Sequence, residues 1–209
     1  FAIALGVALV FATRIVSVAA DEQAAAARES KLAGADLEVS PSRAQFFPVS
    51  IADDILQNSA VEKVAPVYKY ALTESNLVLL GVDPARVLTP YELIAGDFIA
   101  ADDEILLPDI WAAQHGLGVG QIVRLTIEGE KHEYTVVGLL KANPLGAATV
   151  WLPLKTLQAA LRRTEAVNSI LMRLKPGETP QVVKETLVKS LGTAYVVTSV
   201  QDSALSLQG

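Results

Sequence analysis

Three alternating glycines form the motif that most resembles a nucleotide site. Gly116, Gly118 and Gly120 make a G-x-G-x-G run after His115. In a dinucleotide fingerprint the glycines follow a strand and open a helix, whose N-terminus then receives the pyrophosphate. Here a predicted helix precedes the glycines and a predicted strand follows them, so we interpret the run as a helix end and a tight turn. The sequence also has no P-loop, and we predict no cofactor site in this chain.

The two histidines do not predict a metal or catalytic centre. His132-Glu133 begins an H-E-x-x-H zinc motif, but Val136 stands where the second His is required. His115 lies where a helix is predicted to end, and a cation is favoured at that position. The G-x-S-x-G and S-x-x-K signatures of hydrolases and penicillin-binding enzymes are also missing. We therefore predict no metal site, no catalytic residue and a chain that is not an enzyme.

Four carboxylates occur within eight residues, at Asp97, Asp102, Asp103 and Glu104. Carboxylates are hard ligands suited to calcium, but an EF-hand loop alternates its ligands around a central glycine. This spacing has neither feature. We interpret the cluster as a solvated acidic turn.

Among the large aromatic side chains, Phe46 and Phe47 are the candidates for contact with another molecule. They lie in a loop between Pro41 and Pro48, where exposure is expected. Exposed apolar pairs often mark interfaces, so we predict contact with a substrate, a partner or a membrane surface. Trp111 and Trp151 have apolar sequence neighbours and are expected to pack in the core.

Composition limits the class of protein that must position these residues. The chain has 209 residues, 51% hydrophobic and 19% charged, with no Cys and a net charge of −6. It is too hydrophobic to be disordered and has no thiols for disulfides or Cys-ligated zinc. With a pI near 5.0 it is not expected to bind nucleic acid.

Much of the hydrophobic excess lies in residues 1–20, where 16 residues are apolar and Arg14 is the only charge. About 20 such residues can cross a bilayer as a helix, and an Arg near one end can reach the membrane interface. We predict the end of a transmembrane helix that began before Phe1. A signal segment and a buried core helix are the alternatives. Residues 21–33 are rich in Ala and charge, so we predict that the helix continues as a stalk to Gly34.

After the stalk, two β-α-β units stand at the two ends of the remaining chain. The first has strand 35–40, a helix from Ser50 with a capping-box-like Asp53, and strand 61–72, interrupted at Pro66. Ile51, Ile55 and Leu56 form the apolar stripe of its helix.

The second unit has strand 169–174, a helix that begins at Thr179-Pro180 and ends at Gly192, and strand 194–200. Its stripe is formed by Val182, Val183, Leu187, Val188 and Leu191. Two such units often form one ferredoxin-like sheet with both helices on one face.

The middle of the chain is predicted to be mostly β. Strands are expected at 76–82, 104–107 and 149–152, and a hairpin at 121–127 and 133–140 turns near Gly129. Short helices are expected at 108–115 and 153–161, the second with Leu154, Leu157 and Leu161 on one face. We predict an α+β fold. A ferredoxin-like, porter-like subdomain (34–75 and 162–209) carries an inserted mostly-β subdomain (76–161), and the long helix 1–33 precedes both.

The order of these parts resembles a known family. A terminal ALGVALV helix and an Ala-rich stalk precede GADLEV, VEKVAPV and LLGVDP; YELIAGDFI, EILLPDIWAAQHGLGVGQIVRL and YTVVGLL follow. This order is similar to the extracytoplasmic domain of the MacB/FtsX/LolC class of ABC-transporter permeases. The resemblance covers nearly the whole chain.

The resemblance implies a domain between the first two of four membrane helices, with its bulk on the extracytoplasmic side of the cell membrane. It implies a second permease chain and a cytoplasmic ATPase subunit, so ATP would bind to that separate subunit. It also implies that the domain transmits ATP-driven motion across the membrane. Outside, such domains serve lipoprotein or lipid extraction, drug or peptide export, or the activation of cell-wall hydrolases. The shoulder and hook by which lipoprotein extractors bind partners are not recognisable in this sequence.

The residues also leave two other functions open. A membrane-anchored ligand-binding or sensor domain would show the same anchor and stalk. A membrane-tethered enzyme would need a site with convergent, strongly perturbed titratable groups.

Overall fold

The computed structural model describes residues 34–72, 75–142 and 147–199. The predicted membrane helix and stalk, residues 1–33, lie outside these ranges. No helix within the described residues is long and apolar enough to cross a membrane.

Twelve strands and four helices form within the described ranges. The strands are β1 (Leu37–Pro41), β2 (Phe47–Pro48), β3 (Val61–Leu72), β4 (Leu77–Val82), β5 (Leu93–Gly96), β6 (Glu104–Pro108), β7 (Ile122–Ile127), β8 (Glu130–Leu140), β9 (Ala148–Pro153), β10 (Ala166–Val167), β11 (Ser169–Leu174) and β12 (Tyr195–Ser199). The helices are α1 (Ile51–Leu56), α2 (Asp109–Gln114), α3 (Leu154–Ala160) and α4 (Pro180–Leu191). The chain is therefore a mixed α+β protein dominated by strands, as predicted.

Ten of the strands form one sheet, in the order β12-β1-β11-β3-β4-β9-β6-β8-β5, with β7 paired to β8. At one end β12, β1, β11 and β3 are all antiparallel neighbours. Strand β1, helix α1 and strand β3 form one β-α-β unit, and β11, α4 and β12 form the other. The two units interleave, because β11 of the second lies between the two strands of the first. These four strands continue without a break into the rest of the ten-stranded sheet.

The other end of the sheet is connected less regularly. Strand β4 pairs in parallel with β9, and β9 meets β6 through the single register pair Leu106↔Trp151. Strand β8 then runs parallel to β6 and forms a hairpin with β7. The hairpin turn is Glu128-Gly129, both with positive φ (49° and 82°), as a two-residue type I′ turn requires.

Side chains alternate between the two faces of the sheet and form two cores. The larger core contains Leu37, Val39, Leu79 and Ile170 together with buried residues of all four helices. The smaller core lies on the opposite face, where Leu106 and Trp151 pack with Leu88 and Ile99 of segment 83–103. This segment covers part of the face that carries no helix.

Pro66 does not interrupt its strand, contrary to the prediction. Strand β3 is continuous from Val61 to Leu72, and Pro66 pairs in register with Ile170 of β11. Pairing with β4 begins only at Val67. Pro66 therefore stands where β3 has a neighbouring strand on one side, a position that tolerates the missing N–H donor.

The predicted caps fail in their side-chain details. Ser50 has helical backbone angles (φ −57°, ψ −24°) and makes no side-chain cap bond, so the capping-box prediction is wrong. Thr179 has the extended backbone of an N-cap, and Pro180 is the first helical residue, but the Thr179 hydroxyl does not cap the helix.

The predicted apolar stripes are wider than the buried faces. In α1 only Ala52 and Ile55 are buried, while Leu56 is exposed. In α4 only Val183 and Leu187 are buried, whereas Val182 and Val188 are exposed. Short amphipathic helices on an already broad sheet bury one narrow line of residues.

Three short strands were not expected from the sequence. Strand β5 pairs with β8, and the two-residue strands β2 and β10 pair with each other. The predicted hairpin, the short helices and the burial of Leu154, Leu157 and Leu161 are confirmed.

Candidate interaction surface

The two neighbouring phenylalanines have opposite environments. Phe47 is buried in the larger core, where its ring meets Tyr195 edge-on at 5.3 Å between centroids. Phe46 is 41% exposed. The prediction that both are exposed is therefore wrong for Phe47, because β2 pairs with β10 and alternates its side chains between core and solvent.

Arg163 holds the exposed ring of Phe46. The guanidinium carbon of Arg163 lies 4.9 Å from the centroid of that ring, within the range of a cation–π contact. The same guanidinium donates a hydrogen bond of 2.6 Å to the hydroxyl of Tyr68, a side chain that is 1% exposed. This hydrogen bond is the main reason why the pKa of Arg163 is raised, and the charge of Glu128 adds to it.

A turn in the left-handed region places Arg163. Arg162 and Glu165 have φ values of 54° and 60°, a region that side chains other than Gly seldom adopt. Arg162 pairs with Glu130 at the start of β8, so the two neighbouring arginines reach different elements. Sequence reasoning missed Arg163 and Tyr68, since no local pattern links them to Phe46.

A cleft of about 510 Å³ lies near this turn. It is lined by residues of α1, α3 and strands β3, β4 and β9, and of the neighbouring loops: Val49, Asp53, Pro66, Val82, Asp83, Pro84, Arg86, Ile99, Ala100, Ala101, Asp102, Pro153, Leu154, Lys155, Gln158 and Glu165. Arg86 binds Asp83 at 3.1 Å and lies 3.8 Å from Asp53. The volume lies within the range of small-molecule sites.

The glycine run forms a helix end and a turn, as predicted. Gly116 and Gly120 have positive φ, and β7 follows directly. The N–H of Gly120 donates to the carbonyl of Val136, and that of Gly118 to the side chain of Gln121. These amides are therefore used within the fold.

Each histidine contacts an aromatic neighbour. His115 stacks on Trp111 at 3.9 Å between centroids, and its Nδ1 lies 2.8 Å from the Trp111 carbonyl oxygen. His132 lies beside Tyr134 on β8. Nε2 of His132 and the hydroxyl of Tyr134 are buried, and neither meets a partner among the described residues. Burial raises the pKa of Tyr134.

The acidic turn uses its groups locally. Glu104 accepts hydrogen bonds from the N–H groups of Ala100 and Ala101 at 2.6 and 2.9 Å. Within the described ranges no three His, Asp or Glu side chains come together as a metal site would require.

The two ends of the described domain lie side by side. Leu37 at the start of β1 is the register partner of Ser199 at the end of β12. Arg173 of β11 donates two hydrogen bonds to the carbonyl of Gly34, at 3.0 and 2.6 Å, and so fixes the start of the domain at the same corner.

Comparison with known proteins gives a family and a fold. Residues 1–190 match the sequence model of the MacB-like periplasmic core domain. A comparison with curated protein sequences finds none that matches.

Similar solved structures support the same fold. The periplasmic region of MacB from Actinobacillus actinomycetemcomitans is 11% identical with a TM-score of 0.68, covering 85% of this chain and 96% of that one. The extracellular domain of the noncanonic ABC-type transporter YknZ from Gram-positive bacteria is 15% identical with a TM-score of 0.58, covering 79% and 99%.

Proposed function

The chain belongs to the family of MacB-like periplasmic core domains, and from this premise we propose that it carries ATP-driven motion from the membrane to the extracytoplasmic side. In this proposal a cytoplasmic ATPase subunit hydrolyses ATP, and the chain works beside a second permease chain in the cell membrane. Outside, the domain engages a protein or lipid substrate or a partner protein. Lipoprotein or lipid extraction, drug or peptide export and hydrolase activation are all compatible with this role.

The observation that carries the proposal is the shared corner of the domain. Because Leu37 and Ser199 are antiparallel register partners, their Cα atoms are separated by about one strand spacing of 5 Å. Two membrane helices attached at this corner would move the domain as a rigid body. The ten-stranded sheet extends from this corner to the β7–β8 hairpin, so a displacement at the corner reaches the far end of the sheet.

The proposal includes a division of labour along the sheet. Residues 34–75 and 162–209 form the porter-like part, which receives the motion, and residues 76–161 form an inserted part that extends its reach. The interleaved pairing of β12, β1, β11 and β3 supports this division. Residues 1–33 supply the membrane helix and the stalk.

Distance measurements between two copies of the domain test the proposal. This chain has no Cys, so a single cysteine at the exposed Thr126 of β7 can carry a spin label. The full-length permease, with any further cysteines replaced, is reconstituted in nanodiscs with its ATPase subunit. We expect the distance between the two labels to differ between the nucleotide-free state and the ATP state of a hydrolysis-deficient ATPase.

The matched control is a label pair within one domain, at Thr126 and the exposed Glu185 of α4. This distance should stay constant if the domain moves as a rigid body. An inter-copy distance that is the same in both nucleotide states would overturn the proposal.

A ligand-binding or sensor domain is a second candidate, favoured by the 510 Å³ cleft. It predicts that a small molecule raises the melting temperature of the domain, and that Gln158→Leu in the lining of the cleft abolishes this shift. A coding sequence that continues into further apolar segments of about 20 residues favours the permease. A sequence that continues into a cytoplasmic signalling domain favours the sensor.

A further inference from the structure

We propose that Phe46, which shares an exposed loop with Arg43 and contacts Arg163, is the anchor of a docking surface for an acidic segment of an extracytoplasmic partner protein. This inference rests on the proposed function, because it takes the domain to lie outside the cell. It adds the residues that bind the partner and the chemistry that they recognise.

The backbone fixes the direction in which Phe46 points. The loop begins at Ser42, whose N–H and hydroxyl donate to the carbonyls of Ala194 and Thr193, each at 2.9 Å. It ends at the buried Phe47, which pairs with Val167. A loop of residues 42–46 that is fixed at both ends can present Phe46 in few orientations.

Contacts behind the ring hold it in place. Arg163 lies against the Phe46 ring and is bonded to the buried Tyr68. The backbone of Arg163 is also held, since its N–H donates to the carbonyl of Gln158 and its carbonyl accepts from the N–H of Ala166. An exposed aromatic side chain that is already ordered loses little entropy on binding, and such residues form interface hot spots.

Two arginines belong to this surface: Arg43 lies in the same loop as Phe46, and Arg163 lies against the ring. None of the ion pairs among the described residues includes Arg43 or Arg163. Glu128, whose charge acts on Arg163, accepts a hydrogen bond from Tyr70 instead. In a chain of net charge −6, the loop 42–46 carries one cation, Arg43, and no carboxylate, and Arg163 adds a second cation against the Phe46 ring. Guanidinium groups pair with carboxylates in bidentate geometry, so the complementary partner presents Asp or Glu beside an apolar pocket.

The position of the loop favours a protein over the membrane to which the chain is attached. Leu37 begins β1 at the shared corner, and the loop follows Pro41 at the opposite end of that strand. Five residues of extended strand span about 16 Å. The docking surface therefore lies about one strand length from the corner at which the proposed membrane helices would attach.

Site-specific photo-crosslinking tests the proposal in the full-length permease in its native membrane. The probe is benzoylphenylalanine in place of Phe46, and the matched control is the same probe at Val188. That residue is 42% exposed, close to the 41% of Phe46, and lies on α4. We expect position 46 to capture a protein segment that mass spectrometry identifies as rich in Asp and Glu, and position 188 not to capture it.

Charge variants then separate recognition from proximity. Arg43→Glu changes an exposed loop residue, and we expect it to lower the crosslinking yield about 10-fold. Arg163→Gln should have a comparable effect, whereas Arg43→Lys, which keeps the charge but loses the bidentate geometry, should lower the yield less than Arg43→Glu does. Yields that do not depend on these charges would overturn the proposal, as would products that contain lipid or the second copy of the chain.

The two proposals fail in different ways. If position 46 captures no acidic segment but the inter-copy distance still follows the nucleotide state, the docking surface is wrong and the proposed function stands. If the acidic segment is captured but that distance does not change, the proposed transmission of motion is wrong.

Discussion

The two ends of the ten-stranded sheet differ in the partners of their polar groups and in the regularity of their strand pairing. In the end formed by β12, β1, β11 and β3, polar groups that approach the sheet find partners: Glu38 accepts hydrogen bonds from Ser169 at 2.5 Å and Lys69 at 2.7 Å. In the end formed by β6, β8, β5 and β7, the registers shift at Leu106 and Ala95, whereas the first end has one shift, at Leu174 of β11. There the buried hydroxyl of Tyr134 meets no partner among the described residues.

Different interactions stabilise the two ends of the sheet. Long-range pairing and two covering helices hold the first end. Close backbone contact is more frequent in the second, where a Cβ on Gly138 would lie 2.5 Å from the carbonyl oxygen of Asp97; the first end has one such approach, at Gly34. The single register pair Leu106↔Trp151 joins β6 to β9. We therefore expect substitutions in the second end to act through crowding and connection, and those in the first through lost partners.

The largest effect on stability is expected where β6 joins β9. Leu106→Ala removes a side chain with no exposure from the smaller core and should lower the free energy of unfolding by about 2–5 kcal/mol. Leu37→Ala, an equally buried leucine of β1, is the matched control. In hydrogen exchange, Leu106→Ala should expose the amides of β7 and β8 first, and Leu37→Ala those of β1 and β12. Identical exchange patterns would contradict the distinction between the ends.

Alanine substitutions at two glycines distinguish the cost of steric crowding from the cost of an unfavourable backbone conformation. Gly96 and Gly129 have similar φ values, 76° and 82°, but a Cβ on Gly96 would lie 2.1 Å from the carbonyl oxygen of Val137. A Cβ on Gly129 would meet nothing within 4 Å. Gly96→Ala should cost about 3 kcal/mol or more and Gly129→Ala about 1 kcal/mol in urea unfolding. Equal costs would show that close approach does not hold the second end.

There is one buried tyrosine to test at each end of the sheet. Removing the hydroxyl should change the stability of the domain in opposite directions at these two tyrosines. Tyr68→Phe removes the acceptor of the Arg163 hydrogen bond and should destabilise the domain by roughly 1 kcal/mol. Tyr134→Phe removes a buried hydroxyl that has no partner among the described residues, and it should stabilise the domain by up to about 1 kcal/mol. Thermal unfolding of both variants checks the signs, and a destabilised Tyr134→Phe would reveal a partner for that hydroxyl.

The smallest effect on the free energy of unfolding is expected at alkaline pH. Burial raises the pKa of Tyr134 in the folded state above the unfolded value of about 10. The stability that its neutral form contributes is therefore complete below pH 10 and is lost as the pH rises through the folded pKa. Urea titrations between pH 9 and 11 should show a shallower decline for Tyr134→Phe than for the unaltered chain, and parallel curves would refute this source of the decline.

Local pattern was enough to predict most elements of both ends. The β-α-β units, the hairpin at Gly129 and the burial of Leu154, Leu157 and Leu161 follow from periodicity and turn residues, and the structure confirms them. Periodicity did not show which of the apolar residues in a helix face the core. Leu56 and Val182 are exposed because their helices bury a narrower face than the sequence pattern indicates.

The interaction surface was only half predictable. The loop between two prolines indicated an exposed aromatic residue, and Phe46 is exposed. The partner strand of Phe47 lies about 120 residues away, so nothing local indicated that Phe47 is buried. Arg163 was missed for the same reason, since its position depends on a left-handed turn after α3. Short strands such as β5 offered too few residues for a pattern.

The register pair of Leu37 and Ser199 brings the two ends of the domain together, so the domain could be transferred as a unit. A unit whose ends lie about one strand spacing apart can be inserted into a surface loop of another protein without stretching either chain. The same geometry would let a short linker join residues 37 and 199 and new termini open at an exposed turn such as 128–129, as in a circular permutant. In both cases the pairing of β1 with β12 would stay intact, because neither change separates Leu37 from Ser199.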